Sequence, residues 1–284
     1  MFHVIARCGG FSAAQAQLNM SQSAISTQMA QLEARLGYRL CERGRGVFKL
    51  TNHGKAVIRA SEKLFGALED FRADVAESQG RLSGELRIGL IDNSVTHDNP
   101  MIRNAISEFA SAAPDAKISI YVGGAVELEQ QILDDHLHIA IGLFHHKIES
   151  LEYWPLFEEI HELYCANSHP FFDRNDDDIS DEDLLAARYV SWGYGEGLPG
   201  WEPPFAFNTV ASSPYIEGAA YLVLSGLYVG YLPNHYANNW LSQGLIRTVM
   251  PEQVRRAVQL SLIKRKSARV SRLMKVFMNE LNIH

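Results

Sequence analysis

Gln22, Ser23, Ser26 and Thr27 are short hydrogen-bonding side chains on one side of a stretch whose other side is apolar. Ile25, Met29, Leu32 and Leu36, spaced four, three and four apart, form a single helical stripe. The polar side also holds Gln31 and carries no charge before Glu33. A helix face of this kind suits the edges of DNA bases. Gln pairs bidentately with adenine, Ser and Thr reach several bases, and a carboxylate would be repelled by phosphate. On this stretch alone, a solvated polar face in a helical hairpin explains the residues equally well.

Cations come next. Arg43, Arg45 and Lys49 surround a turn-prone Gly44-Arg45-Gly46, and residues 47–50 alternate enough for a short strand. A β-hairpin wing with these cations would touch phosphates, adding affinity and register without reading sequence. Residues 1–60 hold eight Lys/Arg and two acidic residues, a balance of +6, and the rest of the chain carries −13 within a total of −7. A basic head on an acidic body fits a polyanion that meets the head alone.

The elements that must position these groups are legible nearby. Ser12 and Gln15 fit a capping box that starts a helix over 13–18. Asn19 and Met20 make a tight turn, and Ser21 caps the helix that carries Gln22. Two helices joined so closely form a helix-turn-helix. Thr51 caps a long helix reaching about residue 78, with Val57, Ala60, Leu64, Ala67, Leu68, Phe71 and Val75 recurring nearly every 3.5 residues, as in a helix that pairs with a second copy. Residues 79–84 form a boundary. Beyond it strands and helices alternate, with strands at 86–90, 118–122 and 138–142 and helices over 100–112 and 126–135. A second set follows: strands at 163–165, 189–191 and 228–232 and a helix over 215–225. This succession implies a mostly parallel sheet in two α/β lobes. The strand at 258–263 and a helix over 269–281 return to the first lobe.

The N-terminal residues resemble the winged helix-turn-helix of LysR-type transcriptional regulators. The matches are Ser21-Gln22, Ala24, Ser26, Leu32-Glu33, Leu36-Gly37, Leu40, Arg43, Leu50-Thr51 and Gly54. Cys41 stands where the family usually has Phe, and Ser23 where Pro is common. The family normally has further residues ahead of this start, so residues 1–6 are expected to form only the last turns of a truncated first helix. The stretches HIAIGLF, HELYCANSHPFF and SGLYVGYLP resemble the family's effector-binding domain. That domain has the type II periplasmic-binding-protein fold.

The resemblance implies a multidomain chain. A winged helix-turn-helix would occupy 1–55, a linker and dimerisation helix 56–83, and an effector-binding domain 84–284. Lobe I would span about 84–160 and 250–284, and lobe II about 161–249. Expected DNA-binding residues are Ser21, Gln22, Ser23, Ser26, Thr27, Arg43, Arg45 and Lys49. A ligand would sit between the lobes, beyond strand C-termini. The loop of Asp92, Asn93, Ser94 and Thr96 would anchor it, near Phe144, Trp192 and Tyr231. Asp92 disfavours a carboxylate there. For each of these residues, packing or a solvated loop is an equal explanation. The implied partners are double-stranded DNA, a small effector and further copies in a dimer or tetramer.

Other chemistry is set aside. His145-His146 are adjacent, and adjacent residues rarely chelate one ion without further ligands. His136 and His138 fit a solvent edge. Asn175-Asp176-Asp177-Asp178 lacks the Gly and terminal Glu of a calcium loop and fits a solvated loop and helix start. The glycines at 193, 195, 197 and 200 lack dinucleotide-binding spacing. No nucleophile elbow or Cys–His pair is evident, so no metal, cofactor or enzymatic activity is expected. Cys8, Cys41 and Cys165 form no disulfide framework. No signal peptide or spanning run is evident, which gives a cytoplasmic expectation without membrane contact. Two readings compete with a DNA-binding regulator. One is a ligand-binding or interaction protein whose truncated head is impaired in DNA binding. The other is an enzyme on the two-lobed fold.

Overall fold

The structure, a computed structural model, describes residues 1–42, 48–78, 82–144, 146–192 and 206–283. The chain divides into two units, Met1–Phe71 and Arg72–His284. The first begins with α1 (Phe2–Arg7), α2 (Gln15–Leu18) and α3 (Gln22–Leu36). A two-stranded ladder of β1 (Cys41–Glu42) and β2 (Lys49–Leu50) follows, then α4 (Asn52–Ser78). Phe2 and Ile5 of α1 are buried with Ala14, Ile25, Met29, Leu40 and Cys41.

Local polar contacts fix this unit. The Ser21 hydroxyl accepts from the Ala24 N–H at 3.3 Å and caps α3. Gly37, at φ 81°, ends it. The Glu33 carboxylate is buried and accepts the Leu40 N–H at 2.8 Å, which sets where β1 begins. Thr51 donates to the Arg39 carbonyl at 2.7 Å and accepts the Gly54 N–H at 2.9 Å, starting α4. Gly54 lies so close to Leu40 that a Cβ would stand 2.0 Å from the Leu40 carbonyl oxygen. Only glycine fits there.

The capping box expected at Ser12 is replaced by another contact. α2 starts at Gln15 with no side-chain cap. The Gln15 amide donates to the Ser12 carbonyl at 3.2 Å and hydroxyl at 3.3 Å. Its oxygen is turned instead to the Gln22 N–H at 3.2 Å. The first orphan donor of α3 is thus satisfied from across the turn.

α4 extends for 27 residues. Leu64, Phe65, Leu68, Phe71 and Val75 are exposed on it.

The second unit is built on one nine-stranded sheet ordered β4-β3-β5-β11-β6-β9-β7-β8, with β10 also paired to β6. Its elements begin with β3 (Ser83–Ile91), α5 (Met101–Ala112), β4 (Asp115–Gly123), α6 (Ala125–Leu133) and β5 (Ile139–Leu143). Next come β6 (Leu151–Ala166), α7 (Asp181–Ala186), β7 (Arg188–Trp192) and β8 (Asn208–Ser213). Then α8 (Ile216–Leu224), β9 (Val229–Pro233), α9 (Asn234–Leu241), β10 (Ile246–Thr248) and α10 (Pro251–Val254) precede β11 (Arg256–Arg265) and α11 (Arg272–Glu280).

β3 is parallel to β4 and β5, and β7 is parallel to β8 and β9. The strands between these groups are antiparallel. β6 pairs with β11 from Leu151 to His161, then with β9 from His161 to Tyr164 and β10 from Tyr164 to Ala166. A single 16-residue strand therefore serves both groups, where the sequence pattern marked only 163–165. The acidic run is held structurally. Arg247 pairs with Asp176 at 2.7 Å, and Arg174 with Asp183 at 2.8 Å. Ser180 and Asp183 form a capping box for α7.

Candidate functional site

α3 presents the first group of candidates. Gln22, Ser23 and Thr27 are exposed and Ser26 is half-buried, opposite the buried Ile25 and Met29. The short hydroxyls are partly committed. Ser21 and Ser23 share a hydrogen bond at 3.0 Å, and Thr27 donates to the Ser23 carbonyl at 2.9 Å. The Gln22 side chain stands at the N-terminal end, where recognition helices meet base edges. Lys49 is exposed on β2, paired across the ladder with Glu42. Arg43 and Arg45 lie outside the described residues.

The second group gathers around the loop after β3. Asn93 is left-handed at φ 57°, and Ser94–Thr96 forms one 3-10 turn. Ser94 donates to the Ile91 carbonyl at 2.9 Å, and Thr96 is 3.0 Å from the Asn93 carbonyl. The Asp92 carboxylate accepts the Ile216 N–H at 2.7 Å, at the first residue of α8. Burial raises the Asp92 pKa, against the hydrogen bond from Ile216. A cavity of about 410 Å³ is lined by Asp92, Asn93, Val122, Tyr215, Glu217 and Tyr236. Tyr215 donates to Glu127 at 3.2 Å, and Tyr121 also bonds that carboxylate. A second cavity, about 310 Å³, is lined by Ser94 and His97 with apolar groups that include Ile102, Ile106 and Phe157.

Thr96 leads into a buried polar network. Its hydroxyl lies 2.7 Å from Nδ1 of His235, on α9. Nε2 of His235 meets Glu159 Oε2 at 2.9 Å, and Nε2 of His161 meets Glu159 Oε1 at 2.5 Å. Glu159, His161 and His235 are all buried. Burial opposes ionisation of Glu159, but the bonds from His161 and His235 outweigh it and hold the carboxyl down to about 2. The His97 ring packs on Phe157 at 4.6 Å and His235 at 4.8 Å, centroid to centroid.

The structure thus brings Asp92 and Asn93 together at one cavity and turns Thr96 toward His235. Tyr231 is corrected to the core. It is 1% exposed, and its hydroxyl donates to the Val254 carbonyl at 2.9 Å. Phe144 packs edge-on against Tyr153 at 6.3 Å and does not line the cavity beside Asp92. The backbone of Trp192 ends β7 beside Ser213, two residues before Tyr215. Sequence reading passed over Glu159, His161, His235, Tyr215 and Glu217. One signal was present: Glu159 and His161 are two apart on a strand, so both face one side.

Residues 1–55 match the family described as bacterial regulatory helix-turn-helix protein, lysR family, and residues 79–283 match the LysR substrate binding domain. The chain belongs to the LysR family. It is 39% identical to the HTH-type transcriptional activator BauR of Pseudomonas aeruginosa over 283 residues, covering 100% of this chain and 93% of that protein. It is 25% identical to the uncharacterized HTH-type transcriptional regulator YusT of Bacillus subtilis, covering 98% of this chain and 92% of that one. In fold it is similar to full-length CbnR crystallised with its target DNA, at a TM-score of 0.68 and 21% identity, with 99% and 96% of the two chains covered.

As a LysR regulator the chain is a ligand-responsive, DNA-binding transcriptional regulator that acts with DNA, a small effector and further copies of itself. The alternative of a head that no longer binds DNA gives way to a DNA-binding regulator. The helix-turn-helix domain is present at residues 1–55, and Phe2 and Ile5 of α1 sit in its core. No helix among the described residues is long and apolar enough to cross a membrane.

Proposed function

We propose that this LysR regulator senses a small molecule bearing a cationic group, held at the cavity beside Asp92, and acts by binding alone, without catalysis, in the cytoplasm. One observation carries the effector class: Asp92 and Glu217 line the cavity of about 410 Å³, with no Lys or Arg among its described lining residues. Tyr215 and Tyr236 supply aromatic faces and hydroxyls there. Trp192, the last residue of β7, would be the stacking residue, and Ser94 would support the anchor loop. A carboxylate-only effector would meet uncompensated negative charge.

On the DNA side, Gln22, Ser23, Ser26 and Thr27 would read bases, while Ser21, Arg43, Arg45 and Lys49 would hold phosphates. The apolar row on α4 supports pairing with a second copy, as two DNA half-sites require. Boundaries near 55 and 83 fit this division of labour. The effector acts by binding one arrangement of the protein better than another, since equal affinity shifts nothing.

A thermal-melting screen tests the effector class. Amine- or guanidine-bearing compounds are expected to raise the melting temperature of the parent and to lose that effect with Asp92→Asn. Stabilisation by simple carboxylates alone would refute the cationic class.

A further inference from the structure

The group around Glu159 is more organised than a buried packing contact requires. His97, Glu159 and His235 come from three separate elements, and their ligand atoms all lie within 4.8 Å of one another. Two imidazoles and a carboxylate are a zinc-type donor set, with a fourth position left over. Metal-ligating residues also need partners behind them to fix their orientation. Here both well-buried members have one. Thr96 holds Nδ1 of His235 and leaves Nε2 toward Glu159. His161, fully buried, holds the other oxygen of Glu159. His97 is positioned as well, because its ring packs on Phe157 at 4.6 Å and on His235 at 4.8 Å.

We propose that His97, Glu159 and His235 bind a divalent transition-metal ion, zinc by their donor chemistry, with Thr96 and His161 orienting the ligands from behind. Binding replaces the hydrogen bond between His235 Nε2 and Glu159 Oε2 with bonds from both atoms to the ion. The Nε2 position gives up its proton, and the bound ring carries one proton on Nδ1, donated to the Thr96 hydroxyl, so that it ligates as a neutral imidazole. On His97 the ring proton moves from Nε2, released by the Glu158 carbonyl to face the ion, to Nδ1, which gives up the Asn99 N–H, and the ring stays neutral overall. The ion would then tie the loop after β3, strand β6 and helix α9 to one point. This site does not depend on the effector class proposed above, because none of the three ligands lines the cavity beside Asp92.

The test uses chelator-treated full-length protein. Zinc chloride is titrated by calorimetry, cobalt(II) by visible absorption, and melting temperature is followed with and without zinc. The expected result is one saturable ion per chain, the d–d bands of nitrogen and oxygen ligation, and a higher melting temperature with zinc. His97→Gln should weaken zinc binding by roughly tenfold or more, and a cooperative melt of its metal-free form shows that it folds. Glu159→Gln should abolish binding. If that variant fails to fold, His97→Gln decides alone. The exposed His146→Gln variant should bind like the parent. The proposal is overturned if uptake is not saturable, if His97→Gln binds zinc as tightly as the parent, or if His146→Gln removes the binding.

Discussion

Gln15 and Gln22 are joined across the turn between α2 and α3: the side-chain oxygen of one accepts the backbone N–H of the other at 3.2 Å. The same Gln15 amide group holds Ser12. One side chain therefore sets the position of the whole first turn of the recognition helix, while Gln22's own side chain stays exposed.

The two glutamines should part company on mutation. Gln22→Ala should relax base preference, with a loss of about 1–3 kcal/mol on the preferred site. Gln15→Ala should lower the stability of the head by about 0.5–1.5 kcal/mol and weaken binding to all sequences alike. Selection from random DNA distinguishes them. An unchanged preference with Gln22→Ala would remove that residue from base reading.

Lys49 should behave as a phosphate contact. Lys49→Ala should reduce affinity for every sequence and flatten the dependence of log affinity on log salt by about 0.9. Arg43→Ala and Arg45→Ala should do the same. A titration of binding against salt concentration checks this. A changed sequence preference with Arg45→Ala would instead make the wing a reader of bases.

The helix-turn-helix was legible because its contacts are local: Ser21 caps its own helix, and Thr51 caps the next. Ser12 misled, because the Gln15 oxygen has a competing donor seven residues ahead that no capping pattern includes. The polar loop after β3 was visible, but the partners of its groups were not. Ile216, which bonds Asp92, and His235, which bonds Thr96, arrive through strand pairing. Tyr231 looked like a cleft residue from its place in a strand. Its hydroxyl partner, the Val254 carbonyl, comes from a later helix.

Around the effector cavity, Ser94→Ala, which releases the anchor loop, and Trp192→Ala should blunt the response to ligand while ligand-free DNA binding stays near the parent's. Each is expected to cost the ligand about 0.5–1.5 kcal/mol, the scale of one lost contact. Calorimetry of the full chain with an identified effector measures it. Parental affinity in both variants would place the effector elsewhere.

Acid should weaken the second unit through His138. Its Nδ1 accepts the Arg87 N–H at 3.1 Å, and burial with the nearby Arg87 charge lowers its pKa to about 4. The folded state favours the neutral ring, so this contribution is complete above about 6.5 and is lost as pH falls from there through about 4. The loss should reach no more than about 3 kcal/mol. Denaturant unfolding against pH measures it. His138→Asn, whose side-chain oxygen can still accept from Arg87, should flatten this part of the profile.

Leu64 and Phe71 stand 66% and 63% exposed on α4 of a single chain. A regulator whose apolar helix is covered only by another copy obeys mass action before it meets any operator. Below the dimerisation constant, halving the number of chains in the cell reduces the paired form about fourfold. The supply of paired regulator then changes more steeply than in proportion to its copy number.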